Sequence, residues 1–414
     1  MRILILGINF HPELTGIGKY TGELAEYLSQ RGHDIRIVTA PPYYPYWQVQ
    51  SGYKWWQYRH EHWQGVNIFR VPIWVPKKSS GIKRLLHLAS FALFSFPTLI
   101  GQISWRPECV LCVAPAFLSA PGAWMLARIC GAKSWLHLQD FELDAAIGLG
   151  MLPASRFLTR WAFRCESWLL THFDRVSTIS ESMLRHLNTK GVLSQRAYLF
   201  LNWVDTAQIH PLPGKKDSAR GDLGISDESL VVLYSGNMGA KQGLEIVVEA
   251  ARQLQSHPEF VFVFCGEGAA RESLEKAAAG LTNVKFCQLQ PLEKLNQLLN
   301  CADIHVLPQR PGVADLVMPS KLQGMLASGI PVLATASVGT EVWTVVNQVG
   351  VVVPPGDLKA FCDGIVALAE SPDPRSMLGR KGRIYACENW GKEYILARFE
   401  ENLLNLVDGQ QPST

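Results

Sequence analysis

The sequence has no Asp-x-Asp pair, no low-complexity tract and no block of like charge. Without paired acids it lacks the usual carboxylate hold for a divalent ion on a diphosphate, so no metal and no cofactor are expected. A net charge of +3 over 414 residues is not the concentrated basic face of a nucleic-acid binder. Cysteine is sparse: nine scattered residues, an odd number that fits a reducing compartment better than a disulfide framework. Cys109 and Cys112 form a lone pair in an apolar run. On a strand their thiols would point to opposite faces, so no metal or redox site is expected there. The first apolar stretch is only Ile3 to Leu6 before Gly7 and His11-Pro12-Glu13. It reads as a core strand and not as a secretory signal.

What is present is a well-cored chain, 48% hydrophobic and 18% charged, long enough for two domains. The first strand runs into a glycine loop with Gly16, Gly18 and Gly22, then a helix carrying Leu24, Ala25 and Leu28, a turn at Arg31-Gly32-His33-Asp34 and a strand Ile35 to Thr39. That is a Rossmann-type opening. The glycines do not follow Gly-x-Gly-x-x-Gly, and Pro41-Pro42 stands where a ribose-binding acid would be. Close approach of backbone to a sugar-phosphate and a simple tight turn read equally well.

Residues 41–63 are dense in Tyr and Trp, including Tyr44 and Trp47. Such rings suit carbohydrate or lipid-headgroup contact; a loop packed by its own aromatics has the same composition. Lys77, Lys78, Lys83 and Arg84 precede an apolar run from Leu85 to Ile103. It nears the length of a membrane span, but strand-like segments of one sheet lie on both sides. A helix lying on a membrane surface is favoured, and a buried helix competes with it. His137, Asp140, Glu142 and Asp144 leave a further strand, and ligands gather at such C-terminal strand ends. Residues 209–228 read as a polar linker between residues 1–208 and 229–390, with a C-terminal helix and tail over 391–414. In the second domain, the stretch from Asp315 to Ala334 predicts a loop, a helix with Pro319 in its first turn and a buried strand. A helix N-terminus beside Ser320 and Lys321 suits a phosphate; an ordinary αβ unit with a solvated lysine has the same pattern.

Taken in order, these pieces resemble the retaining group-four glycosyltransferases of the GT-B fold. The matching residues are Pro12 to Gly18, Arg31 to Asp34, His137, Asn202 to Asp205, Ser235 to Glu245, Gly266-Glu267-Gly268, Ala302-Asp303, Pro319-Ser320-Lys321 and Pro355 to Asp357. They also resemble the colanic-acid glycosyltransferase I type, through residues 41–47, Arg84 to Phe91 and Lys241 to Glu245. The resemblance implies an α/β protein with two Rossmann-like domains facing across a cleft and C-terminal helices crossing back. It implies sugar transfer from a UDP- or GDP-linked donor to a polyprenyl-diphosphate-linked or oligosaccharide acceptor. It also implies a bacterial, cytoplasmic enzyme of exopolysaccharide assembly, peripheral on the inner face of the plasma membrane.

The resemblance assigns roles as well. His137 would contact the donor sugar or the developing charge, and Asp140, with Tyr44 and Trp47, the acceptor. Gly16 and Gly18 would meet the diphosphate, and Glu267 and Gln290 would face the nucleotide. Two departures stand out. Asn237 and Gln242 occupy the places of an Arg and a Lys common in such enzymes, and Gly324 that of a second glutamate, with Asp315 near the first. Lys241 and Lys321 are expected to supply the missing positive charge, and Pro319 and Ser320 at the helix start to contact the donor. The same architecture also fits a nucleotide-sugar 2-epimerase or a non-catalytic scaffold subunit.

Overall fold

The computed structural model describes residues 1–13, 16–77, 81–115, 117–141, 143–144, 156–239, 242–310 and 319–409. The chain divides into two compact units, Met1–Leu201 together with the chain from Leu396, and Asn202–Ile395. Among the described residues, each unit is built on one mainly parallel sheet.

The first unit carries β1 (Arg2–Gly7), β2 (Asp34–Thr39), β3 (Arg59–Trp63), β4 (Val66–Arg70), β5 (Cys109–Ala114), β6 (Lys133–Leu138), β7 (Arg175–Thr178) and β8 (Ala197–Leu199). Their spatial order is β3-β4-β2-β1-β5-β6-β7-β8, with only β3 antiparallel to its neighbour. The runs Ile3 to Leu6 and Cys109 to Ala114 are buried throughout, as strands covered on both faces must be. Helices α1 (Gly16–Gln30), α2 (Gly81–Gly101), α3 (Ala120–Cys130) and α4 (Arg156–His172) provide cover. So does the terminal helix Lys392–Asp408: Phe399 stacks on Phe200 at 4.3 Å and meets Trp135 at 4.8 Å. Its Glu400 accepts hydrogen bonds from Arg31 and Tyr27 and lies 3.0 Å from His33 Nε2. These contacts are why the last residues join the first unit.

The second unit carries β9 (Leu230–Ser235), β10 (Phe260–Cys265), β11 (Val284–Cys287), β12 (Ile304–Leu307), β13 (Val332–Thr335) and β14 (Val351–Val353), in the order β11-β10-β9-β12-β13-β14. Strand order reverses between β9 and β12. That is the switch point where loops diverge and open a crevice.

Two boundaries differ from expectation. Residues 209–228 are not a loose linker. Arg220 is wholly buried and donates to the Cys301 and Ser229 carbonyls and to Asp303 at 2.6 Å, while Ile225 is in the core. Asn202 to Asp205 also belongs to the second unit: Val204 bridges Gly391, and Gln323 donates to the Asn202 carbonyl at 2.6 Å. Polar composition pointed to solvent, but a buried guanidinium that finds enough carbonyls to satisfy it is also polar in sequence.

Candidate active site

The site grows from the switch point of the second sheet. After β9 the chain turns at Gly236 (φ +131°), and after β10 at Gly266 (φ +142°). A Cβ on Gly266 would lie 2.0 Å from the Gly236 carbonyl oxygen, and one on Gly268 2.5 Å from that of Met238. Only glycine allows the two loops to lie this close. Met238 N–H donates to the Glu267 carbonyl at 2.8 Å and Ala270 N–H to that of Met238 at 2.9 Å. The loop after β9 therefore has a rigid floor.

From the other side of the switch point comes the helix Ser320–Ala327. Its Leu322, Met325 and Leu326 are buried, and this anchoring aims Lys321 back towards β9. The Lys321 ammonium donates to Tyr234 Oη at 2.7 Å and to Gln242 Oε1 at 3.1 Å, and sits 4.4 Å from the Tyr234 ring centroid. Tyr234 Oη donates in turn to the Asn237 carbonyl at 2.6 Å. The Tyr234 hydroxyl has thus spent its proton and offers Lys321 a lone pair. Burial pushes the Lys321 ammonium down to about 7 and raises the Tyr234 phenol. The described partners of this cation are neutral acceptors, and an arriving anion would restore its charge.

Lys321 and Gln242 therefore lie together, and the Asn237 carbonyl joins them through Tyr234. Pro319 stands one residue outside the helix, extended at φ −64° and ψ 119°, and exposed Ser320 is the first helical residue. This corrects the placing of Pro319 in the first turn. Glu267 and Gln290 follow strands β10 and β11, further out from β9. The Glu267 carboxylate pairs with Arg271 at 2.9 Å, and Gln290 Nε2 donates to the Gln288 carbonyl at 3.1 Å. Lys241 and Asp315 lie outside the described residues. Tyr234 was missed by the sequence reading. Its only signal was a hydroxyl one residue before the Ser235-Gly236 turn.

In the first unit the outcome is mixed. Gly16 opens α1 at φ +62°, with a Cβ position 3.6 Å from the Tyr44 ring. Gly18 lies inside α1, where a Cβ would come within 2.7 Å of Glu13. The missing side chain at Gly18 makes room for that of Glu13. Glu13, also missed, is buried and accepts from the Tyr43 and Tyr44 amides at 2.9 Å and from Asn9 at 2.8 Å. Burial raises its pKa against these bonds. It staples the glycine turn to the aromatic loop.

His137 is buried at the end of β6. Nδ1 lies 2.9 Å from Ser177 Oγ and Nε2 2.9 Å from Gln139 Nε2. Burial pushes its pKa down to about 3. Both ring nitrogens lie within hydrogen-bond distance of protein groups, and half-buried Asp140 follows two residues beyond Leu138. Asp144 pairs with Lys190 at 2.7 Å in a network with Glu166, and Glu142 lies outside the described residues. Tyr44 is partly exposed, whereas Trp47 turns towards Tyr43 and His87, at 5.8 and 5.4 Å.

Two Rossmann-like parallel-sheet units, the second with a lysine aimed into its switch point, define the architecture of a GT-B glycosyltransferase. Residues 15–203 match the glycosyl transferase 4-like domain and residues 215–385 the glycosyl transferases group 1 model. The chain is 40% identical over 407 residues to the Escherichia coli protein named "Putative colanic acid biosynthesis glycosyl transferase WcaI", covering 96% of this chain and 98% of that protein. It belongs to the group 1 glycosyltransferases.

Solved structures agree on the fold. Sucrose-phosphate synthase from Thermosynechococcus elongatus superposes with a TM-score of 0.77 at 17% identity, over 99% of this chain and 100% of that one. Anabaena HepE in complex with UDP-glucose gives 0.69 at 14% identity, over 98% and 100%.

Proposed function

We propose that this glycosyltransferase moves a sugar from a UDP- or GDP-linked donor to a polyprenyl-diphosphate-linked saccharide in exopolysaccharide assembly. It does so with retention of configuration and without a divalent ion, on the inner face of the plasma membrane. The observation that carries the reading is the Lys321 ammonium held by two neutral acceptors at the switch point. The colanic-acid relative and the UDP-glucose complex of HepE support the class of donor and product.

Breaking the sugar–diphosphate bond puts negative charge on the leaving group. Lys321 and the first-turn amides of its helix stabilise that charge, with Lys241 as a second cation. A departing phosphate oxygen takes the proton of the acceptor hydroxyl, which attacks from the same face. Asp140 orients the acceptor, and His137 keeps that strand end in shape. The α2 segment, within residues 77–103, rests on the membrane that carries the acceptor.

A panel of nucleotide sugars tests the donor class by thermal shift, because a ligand bound only to the folded state raises Tm. UDP- or GDP-sugars should do so and should then label a lipid-linked saccharide. Epimerised donor in the absence of acceptor would favour the epimerase reading instead. Tyr234→Phe removes one of the two acceptors that aim Lys321. It is expected to lower kcat about tenfold, measured by initial rates at saturating donor, with the fold retained.

A further inference from the structure

Strands β4, β5, β6 and β7 are linked by α2, α3 and α4 in turn. All three crossovers step the same way across the sheet, so right-handed connection lays the helices on one face. They are packed side by side. A Cβ on Gly122 of α3 would meet Leu99 of α2 at 3.2 Å, and Trp124 of α3 donates to the His172 carbonyl of α4 at 3.2 Å.

The outward side of this layer is apolar. On α2, His87, Leu88, Phe91, Ser95 and Leu99 face inward, and Leu86, Leu93 and Ile100 face solvent. Leu93 is 69% exposed. The stripe continues onto exposed Met125 and Ile129 of α3 and onto exposed Trp161 and Trp168 of α4. A patch spread over three helices exceeds the scattered apolar residues of an ordinary surface.

Its charges are all of one sign. α2 and α3 contain no acidic residue, and the only acid of α4, Glu166, is buried on Lys190. Lys83, Arg128, Arg160 and Arg164 are exposed along the same layer. Cations beside exposed tryptophans and leucines complement an anionic lipid surface, where rings sit at the headgroup level and basic side chains reach phosphate.

We infer that the outward layer of α2, α3 and α4 is a single docking face for an anionic phospholipid bilayer, with Trp161 and Trp168 as interfacial anchors. This rests on the membrane reading given above for α2 and extends the contact across two further helices.

Sedimentation of the full chain with vesicles tests it, using phosphatidylcholine alone and phosphatidylcholine mixed with phosphatidylglycerol. The chain should bind the anionic vesicles and release as salt rises. Both Leu93→Ser/Ile100→Ser and Trp161→Ser/Trp168→Ser should weaken binding by about tenfold, with unchanged Tm. Loss in the α2 variant but wild-type binding in the α4 variant overturns the extended face and leaves the α2 contact standing. No binding of the wild type to either vesicle overturns both. Light scattering without lipid that shows a dimer dissolved by Trp161→Ser/Trp168→Ser would assign the face to a second copy and also overturn the inference.

Discussion

Lys321→Ala is expected to lower kcat/KM for sugar transfer about a hundredfold or more while the protein stays folded. The ammonium is fixed by Tyr234 and Gln242 at 2.7 and 3.1 Å. On the proposed mechanism a leaving diphosphate would gain most from it at the moment its charge develops. Because burial brings this lysine down to about 7, wild-type kcat/KM should fall as the pH rises past that value. Lys321→Arg keeps its charge throughout and should flatten this limb even where its absolute rate is low.

Stability moves the other way. The folded-state value lies below the 10.5 of a free lysine. Between about pH 7 and 10.5 the unfolded chain therefore binds more protons, and ligand-free stability rises with pH. Lys321→Met removes the penalty and should raise Tm at pH 6 while slowing transfer as Lys321→Ala does. Wild-type turnover in Lys321→Ala, or a lower Tm in Lys321→Met, would contradict the assignment.

Arg220→Ala is expected to destabilise the second unit by about 3–5 kcal/mol, read from urea unfolding. The guanidinium is wholly buried and donates to four carbonyls besides Asp303, those of Cys301, Ser226, Asp227 and Ser229. Its removal leaves Asp303, which also accepts from the Val231 amide, with half-exposed Lys215 as its remaining cation. A cost below about 1 kcal/mol, the range of an exposed ion pair, would mean that residues 209–228 behave as a connector after all.

Much of the fold was legible because parallel strands buried on both faces must be continuous apolar runs. Ile3 to Leu6, Leu230 to Tyr234 and Phe260 to Phe264 are such runs, and each is a strand. The glycines at 236, 266 and 268 stand in runs that carried the resemblance, and the structure brings their loops together. Composition could not say which glycine serves a ligand and which serves packing. Gly18 is spaced like a phosphate glycine, yet it makes room for the Glu13 side chain.

The sequence by itself determined the two αβ series, the family and a lysine at the start of a helix, because periodicity and local turn chemistry are properties of neighbours along the chain. Only the tertiary structure decided that this lysine meets Tyr234 and Gln242, 87 and 79 residues earlier, that His137 is buried and engaged, and that Arg220 is buried. Those outcomes depend on which strands lie beside which at the switch point. They depend equally on how far water is excluded there, and neither quantity is written in local spacing.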